Sequence, residues 1–588
     1  MDADRYRTMA EAILDTSSDV PANGQPRPNR SVWLYDDSGK VTRKTYAEVR
    51  EEALGWAGWF RQVGVRRGQV VFIGLPTGWD YLGALFGSIV SGIVPCTVPL
   101  GAEPEVSNGA LHNTTGSYKA ISPCLYVTTA EVLSTLRNCG SIPTAILAHV
   151  PPDQRNRAIS REELPTISPS DPHHLQLTSG STEAPKAAVL THASVLANIN
   201  AVAEAVAADS EADSGCCWLP MFHDMGLMQL LMMTRFHAKC VLQSPLSFLR
   251  NPIRWLERIH EHRISMAAAP AFAYSYCVRR YRADIASRLD LSCWRIAGVG
   301  AERVEHRVLR QFHERYREHG FSAARFLNCY GMAEAGFAVA VPRRAYSLTD
   351  PHTIPSVGRP VAGMDISVRD PAGIELPDGE KGELYMRGSS MMQGYYGNAA
   401  PPQNAEGGGS EWFRTGDIGY YKDGELYVAG RAKDLVILRG RNYFPHEFEE
   451  CVTGIPEVEM HRAAAFGLYR EDFGTEGLVL VIELHLRRNL AELRSRLQRM
   501  LRERFGFGAQ DILFVPYGAI PRTTSHKVQR SRCRELYLQG KLLAADREVP
   551  GDSENLSASM SAPLDSPSDQ QRSEHTSDLD LGTQRAQQ

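Results

Sequence analysis

The sequence predicts an α/β protein: a large domain of mostly parallel, helix-layered sheets, a small β-barrel-like subdomain, and a small α+β domain toward the C-terminus. Three changes of texture carry this prediction. Over residues 31–242 short β-branched runs alternate with helical stretches, the rhythm of a parallel sheet joined by crossover helices. After about Thr353 short alternating strands separated by Gly- and Asp-rich turns take over, the pattern of antiparallel hairpins. Near Asp434 a third texture begins, mixing strands with a basic helix over about a hundred residues, an ordinary domain size.

Each element has a local reason. Residues 69–75 (QVVFIGL) form an apolar strand, 79–92 (WDYLGALFGSIVSG) a buried helix, and 93–100 (IVPCTVPL) a second buried strand. The stretch 81–100 is the most apolar in the chain, but Gly83, Gly87, Gly92, Pro95 and Pro99 interrupt it, which argues for core and against a membrane span. Strands follow at 124–129 and 144–150, then at 263–270 and 294–300, the last leading into a helix over 304–320. Residues 365–370, 382–388 and 424–430 alternate as strands, with turn signals PDGEKG and KDGE between them. Then come a strand at 435–440, a helix at 445–454, paired strands, and the basic helix 489–506. The divisions expected are an N-terminal segment (1–30), a large domain (31–432), a small C-terminal domain (433–545) and a disordered tail (546–588) rich in Ser, Asp, Gln and Pro. The first residues are acidic and polar, without the apolar core of a signal peptide.

Bulk properties narrow the function. The 588 residues exceed what one core usually spans, so several domains are required. A net charge of -4 gives no electrostatic case for nucleic acid or an anionic membrane as the main partner. Eleven cysteines, an odd number, show no CxxC spacing, and free thiols in a reducing cytoplasm are the plain reading.

The chemistry begins at residues 177–186 (LTSGSTEAPK), a loop dense in hydroxyls with a glycine and a lysine, following an apolar strand. Backbone N–H groups, hydroxyls and one cation suit phosphate oxygens, although this is no GxxxxGK[ST] loop. Four further segments follow in order: YGMAE at 330–334, RTGD at 414–417, GRAKD at 430–434 and PRTTSHK at 521–527.

Together these five resemble the signature elements of the adenylate-forming superfamily, which includes acyl-CoA synthetases, peptide-synthetase adenylation domains and luciferases. The resemblance implies the two-domain fold of that superfamily, with a mobile C-terminal lid. It also implies ATP and Mg²⁺ as cofactors. Thr178, Ser179, Gly180, Ser181, Thr182 and Lys186 would hold the leaving phosphates. Glu334, with Thr178, would bind Mg²⁺, a hard cation suited to carboxylate and phosphate oxygens. Tyr330, Gly331, Met332 and Ala333 would flank the adenine, and the Gly300, Ala301, Glu302 turn would line its other side. Asp417 would accept from the ribose hydroxyls, and Arg431 would contact ribose or phosphate. Lys527 would reach the α-phosphate and carboxylate as a mobile point charge, and the lid would swing about Lys433.

The segment WLPMFHDMGL at 218–227, with PAFAY at 270–274, CVRR at 277–280 and RGRNYFP at 439–445, is similar to the fatty acyl-AMP ligases within that superfamily. That branch implies activation of a carboxylic acid as acyl-AMP with release of pyrophosphate, then transfer to the phosphopantetheine thiol of an acyl carrier protein. The chain has no carrier segment of its own, so the carrier acts in trans. His223 joins Lys527, Arg431 and Glu334 as a candidate catalytic residue; Phe222, His223, Met225, Gly226, Leu227, Met228, Phe272 and Tyr274 would line an acyl pocket. Gln229 and Leu230 stand where many such ligases have small residues, which implies a shorter or more polar acid than a long fatty chain. Three departures bear on rate: Glu183 and Ala187 replace usual glycines in the phosphate loop, and His526 replaces the glycine before Lys527. Between Tyr330 and Val357 lie only some 27 residues, too few for the insertion usual in fatty acyl-AMP ligases, so CoA stays open as acceptor. The competing readings are an acyl-CoA ligase and a catalytically weak nucleotide- or acyl-binding protein.

Overall fold

The computed structural model describes residues 5–16, 30–99, 107–155, 158–178, 186–209, 211–302, 304, 306–348, 355–397, 412–438, 441–452, 455, 458, 462–470, 475–484, 489–523 and 527–542. Ser179, Gly180, Ser181, Thr182 and Glu183 of the phosphate loop, His526, and the tail expected at 546–588 lie outside the described residues.

Two seven-stranded sheets form the body. The first runs Phe326–Asn328, Ile296–Val299, Met266–Ala269, Ser214–Cys217, Lys239–Gln243, Ser31–Tyr35, Val41–Thr45, parallel except for the last pair. The second runs Gly394–Tyr395, Ala187–Thr191, Pro172–Leu177, Val94–Thr97, Val70–Gly74, Leu125–Thr128, Leu147–Ala148, with its first three strands antiparallel to one another. The stretch read as helix then strand is Trp79–Val90, buried from Tyr81 onward, followed by the buried strand Val94–Thr97. Gly83 and Gly87 explain the close fit: a Cβ there would meet the Trp56 ring at 2.4 Å and its Cβ at 2.7 Å. Among the described residues no helix is long and apolar enough to cross a membrane.

The hairpin texture becomes an antiparallel sheet of Met364–Arg369, Gly382–Gly388, Phe413–Lys422 and Glu425–Arg431. Beyond it, Ala463–Arg470 and Thr475–Leu484 pair antiparallel, and Asp511–Pro516 adds in parallel. The helices Pro445–Val452 and Leu490–Phe505 cover one face of this sheet, closing a core of Phe448, Leu480, Ile482, Leu497, Leu501 and Phe514 that is separate from the body's core.

One element departs from the sequence reading. Within the stretch read as an acidic, polar N-terminal segment, Met9–Leu14 is a helix with Met9, Ala10, Ala12, Ile13 and Leu14 buried. Thr8 and Glu11 form a reciprocal capping box at its start. It is seated through its backbone: Met9 N–H donates to His192 Nδ1 (3.2 Å), and His237 Nε2 lies 2.8 Å from the Ala12 carbonyl.

Candidate active site

The hairpin Pro172–Leu177 and Ala187–Thr191 presents the phosphate loop at its tip. The Thr178 N–H donates to the Lys186 carbonyl (2.8 Å) and closes the loop's neck. Ala187 pairs with Leu177 inside the strand ladder. Its backbone is extended there, so the missing glycine costs this position nothing.

Across from the hairpin, a short helical turn Ala333–Ala335 carries Glu334, which is buried. Burial raises its carboxyl, while the Tyr395 hydroxyl opposes that shift by donating to Glu334 Oε1 (2.8 Å). Gly331 is required beside it: a Cβ there would fall 1.5 Å from the Phe337 carbonyl oxygen. Tyr330 donates its hydroxyl to Asp417 Oδ2 (2.6 Å), and the Arg431 guanidinium meets Asp417 Oδ1 (2.8 Å). Asp417 is further fixed by its own N–H donating to Thr415 Oγ1 (3.0 Å). Burial raises the Asp417 carboxyl, and Arg431, Tyr330 and Lys527 counter it. Arg431 keeps 47% of its side chain exposed, so it faces the cleft while paired.

Lys527 sits at the neck of a small loop. The Thr523 N–H donates to its carbonyl (2.8 Å), its own N–H donates to Thr523 Oγ1 (3.1 Å), and Arg522 bridges Val528. The Lys527 ammonium acts by its positive charge on three groups of the body: it helps push His223 down and favours the ionised forms of Asp224 and Asp417. Among the described residues it forms no ion pair within 4 Å. Burial, with Lys527 second, pushes the His223 imidazole down to about 3, so it is neutral at physiological pH. Among the described residues its buried Nε2 has no hydrogen-bond partner, a state that buried polar atoms rarely keep without a ligand.

His223 caps the helix Asp224–Arg235, its carbonyl accepting from Gly226 (3.1 Å) and Leu227 (2.9 Å). Asp224 was not singled out from the sequence, though it stands inside the quoted segment at 218–227. Burial raises its carboxyl, and it in turn raises that of Glu334. The cleft thus holds Asp224, Glu334 and Asp417 against Lys527 and Arg431.

The expected acyl lining divides. Phe222 and Phe272 are half-buried, whereas Met225, Gly226, Leu227 and Met228 are buried against the body's core. Tyr274 is corrected. It has 0% exposure, packs among Trp255, Trp294, Phe312 and Phe326, and donates to the Gly298 carbonyl (2.8 Å), so it is core and lines no pocket. Aromatic side chains bury large areas, and a strand-to-helix junction placed this one inward. Gln229 spends its amide on backbone: Nε2 donates to Met225 O (2.9 Å) and Ala268 O (3.3 Å), and Oε1 accepts from Ala268 N–H (3.1 Å). It contributes bulk, with no free polar group for a substrate. Glu302 accepts from the Phe272 N–H (2.9 Å), tying the turn of Gly300 and Ala301 to the helix Ala271–Arg279. That turn is tight: Ala301 takes φ +63°, and a Cβ on Gly300 would meet the Cys329 carbonyl at 3.0 Å.

A hairpin neck closed by Thr178 and Lys186, the buried carboxylates Glu334 and Asp417, and the Tyr330–Asp417–Arg431 cluster fit one class: nucleotide-dependent enzymes that activate an acid. The profile of the AMP-binding enzymes matches residues 21–396. The chain belongs to that family.

Two of its relatives are similar along nearly their whole length. It is 30% identical to the 4-hydroxyphenylalkanoate adenylyltransferase of Mycobacterium tuberculosis, over 88% of this chain and 91% of that one. It is 28% identical to the medium-chain-fatty-acid–[acyl-carrier-protein] ligase JamA of Moorena producens, over 87% and 92%. Among solved structures, one from a study of fatty acyl-adenylate ligases of E. coli and L. pneumophila superposes with a TM-score of 0.81 at 27% identity, covering 92% of this chain and 99% of that one. The protein is a ligase of the acyl-adenylate-forming type that uses ATP.

Proposed function

We propose that the cleft joins a carboxylic acid to the α-phosphate of ATP, then passes the acyl group to the phosphopantetheine thiol of a carrier protein supplied as a separate chain. In the first step a carboxylate oxygen bonds to the α-phosphorus. The bond to the departing pyrophosphate breaks, and its electron pair leaves with pyrophosphate. In the second step the thiol sulfur attacks the acyl carbonyl, AMP leaves with the electron pair, and the thiol proton passes to solvent. The observation that carries this reading is the Lys527 ammonium, which forms no ion pair among the described residues and acts by its charge on His223, Asp224 and Asp417. Two anions must meet there, and a cation whose charge is not consumed by the protein lowers that barrier.

Asp417 and Tyr330 hold the ribose and adenine side, and Lys186 with Thr178 holds the leaving phosphates. His223, being neutral, meets the acid through Nε2 as a hydrogen-bond partner and not as a charge. Mg²⁺ would be held by Glu334, and Thr178, where the donors are oxygens suited to a hard cation. Bound there, it would neutralise charge on the phosphates. Oxygens of the nucleotide would complete its ligand set.

The lid pivots at two residues. Arg431 is held to the body by Asp417 (2.8 Å), and Asp434 is held to the lid by Arg530 (3.5 Å). Arg530 is itself locked to Glu449 by two hydrogen bonds of 2.7 and 2.6 Å. Only Ala432 and Lys433 lie between the anchors, which supports a lid over 433–545. All eleven cysteines are unpaired, which supports a reducing, cytoplasmic setting.

The Gln229 side chain, fixed against Ala268, supports an acid shorter than a long fatty chain. Incubation with ATP, Mg²⁺ and a panel of acids, with detection of acyl-AMP by mass and of pyrophosphate, tests the reading. Preference for medium-chain or arylalkanoic acids is expected; clear preference for C14–C18 acids overturns the length assignment, and no acyl-AMP with any acid favours a binding protein. Adding CoA in one arm and a phosphopantetheinylated carrier in the other separates the two acceptors. The short run between Tyr330 and Val357 is the observation that keeps CoA as the second reading.

A further inference from the structure

We propose that Tyr395 is a positioning residue: one ring sets the Glu334 carboxylate and the Lys186 ammonium relative to each other, aligning the metal side and the pyrophosphate side of the site. The inference rests on the roles given above to Glu334 and Lys186.

The geometry comes from a five-residue strap. Met392 N–H donates to the Glu334 backbone carbonyl (2.7 Å), and the Tyr395 hydroxyl donates to the Glu334 carboxylate (2.8 Å). The same strap is stitched to the phosphate-loop hairpin just after Lys186. Gln393 N–H donates to Val189 O (2.8 Å), Tyr396 N–H donates to Ala187 O (2.8 Å), and Tyr395 pairs with Ala188. The face of the Tyr395 ring then lies 5.6 Å from Lys186 Nζ, within cation–π range. Glu334 and Lys186 belong to segments far apart in sequence, and this strap contacts both through backbone and side chain. The phenol O–H is the donor in this contact.

Two variants separate the two contacts. Tyr395→Phe keeps the ring over Lys186 and deletes the donor to Glu334; Tyr395→Leu deletes both. ATP binding is measured by calorimetry with and without Mg²⁺, and pyrophosphate release is followed as Mg²⁺ is titrated. Without Mg²⁺, Tyr395→Phe is expected to bind ATP within twofold of the parent, yet to need about tenfold more Mg²⁺ for half-maximal pyrophosphate release, the size of one charged hydrogen bond. Tyr395→Leu is expected to lose a further factor of about five in ATP affinity even without Mg²⁺. A purely structural role would lower the thermal midpoint without moving the Mg²⁺ titration. An unchanged Mg²⁺ requirement in Tyr395→Phe overturns the proposal while leaving the proposed function standing. A parent protein that gains no ATP affinity from Mg²⁺ overturns the role of Glu334, and the inference with it.

Discussion

Replacing Gly226 by Ala sets two effects against each other, and the structure decides between them. Gly226 lies in the first turn of the helix Asp224–Arg235. Helix propensity and the stiffer unfolded chain both favour alanine, by about 1 kcal/mol. A Cβ at this position, however, would sit 2.4 Å from the Pro220 carbonyl oxygen, 3.0 Å from its carbon and 3.1 Å from the Leu219 oxygen. The first distance is about 1 Å short of ordinary contact, and the obstacle is backbone, which has no rotamer to change. Overpacking of this kind costs roughly 1–3 kcal/mol, so the net effect is a loss of about 1 kcal/mol. The larger effect is functional. The helix must retreat from residues 218–222, carrying His223 and Asp224 with it, and a displacement near 1 Å in a reacting geometry costs about a hundredfold. Gly226→Ala is therefore expected to lower the turnover for acyl-AMP formation about a hundredfold while the thermal midpoint falls by only a few degrees. Pyrophosphate release at saturating acid and a thermal melt measure the two. A higher midpoint with turnover within twofold of the parent would refute the reasoning.

Tyr330→Phe removes the donor to the buried Asp417 carboxylate, whose carboxyl then rises further; the KM for ATP should increase about tenfold with a smaller change in kcat, and an unchanged KM would detach Tyr330 from the ribose site. Ala432→Pro fits the present conformation, since Arg431 before it is extended (φ -85°, ψ 134°) and Ala432 opens a helical turn. It should leave acyl-AMP formation within a few fold and slow transfer to a thiol at least tenfold; equal effects on both half-reactions would displace the pivot. The buried trio His173, His174 and His192 sets an acid limit on the body. Burial holds His173 well below its ordinary value, His174 down to about 3 and His192 down to about 4. Their stabilising contribution is therefore complete above the unfolded value of about 6.5 and is lost as pH falls from there toward the folded values. Each should forfeit roughly 2 kcal/mol between pH 7 and 5; a urea midpoint that does not move over that range would contradict the burial of these imidazoles.

Much of the body was legible because its signals are local. The strand Val70–Gly74, the helix Trp79–Val90 and the hairpin Met364–Arg369 with Gly382–Gly388 each announce themselves through period and turn chemistry. The cleft was legible to the degree that motifs mark it: Tyr330, Asp417 and Arg431 are in direct contact, and Glu334 and Lys527 lie within electrostatic reach of that cluster. What sequence reading missed depends on tertiary partners. Tyr395 acquires its meaning from Glu334, 61 residues away, and nothing beside it in the chain marks it. Tyr274 read as lining because the segment 270–274 resembles that of fatty acyl-AMP ligases, yet positions two apart on a helix face different ways, and this one turned into the aromatic core. The helix Met9–Leu14 is the miss that sequence could have avoided, since Thr8 and Glu11 spell a capping box ahead of an apolar stripe.

That helix has a consequence for synthesis. Its seat is built from residues 183 and 225 positions downstream, at His192 and His237. At about 5–20 residues per second the nascent chain carries an unseated greasy hexapeptide for roughly ten to forty-five seconds before the ribosome delivers its dock. A chaperone-depleted translation system, or a bulky fusion placed ahead of Arg5, should accordingly reduce soluble yield more than it disturbs enzyme already folded.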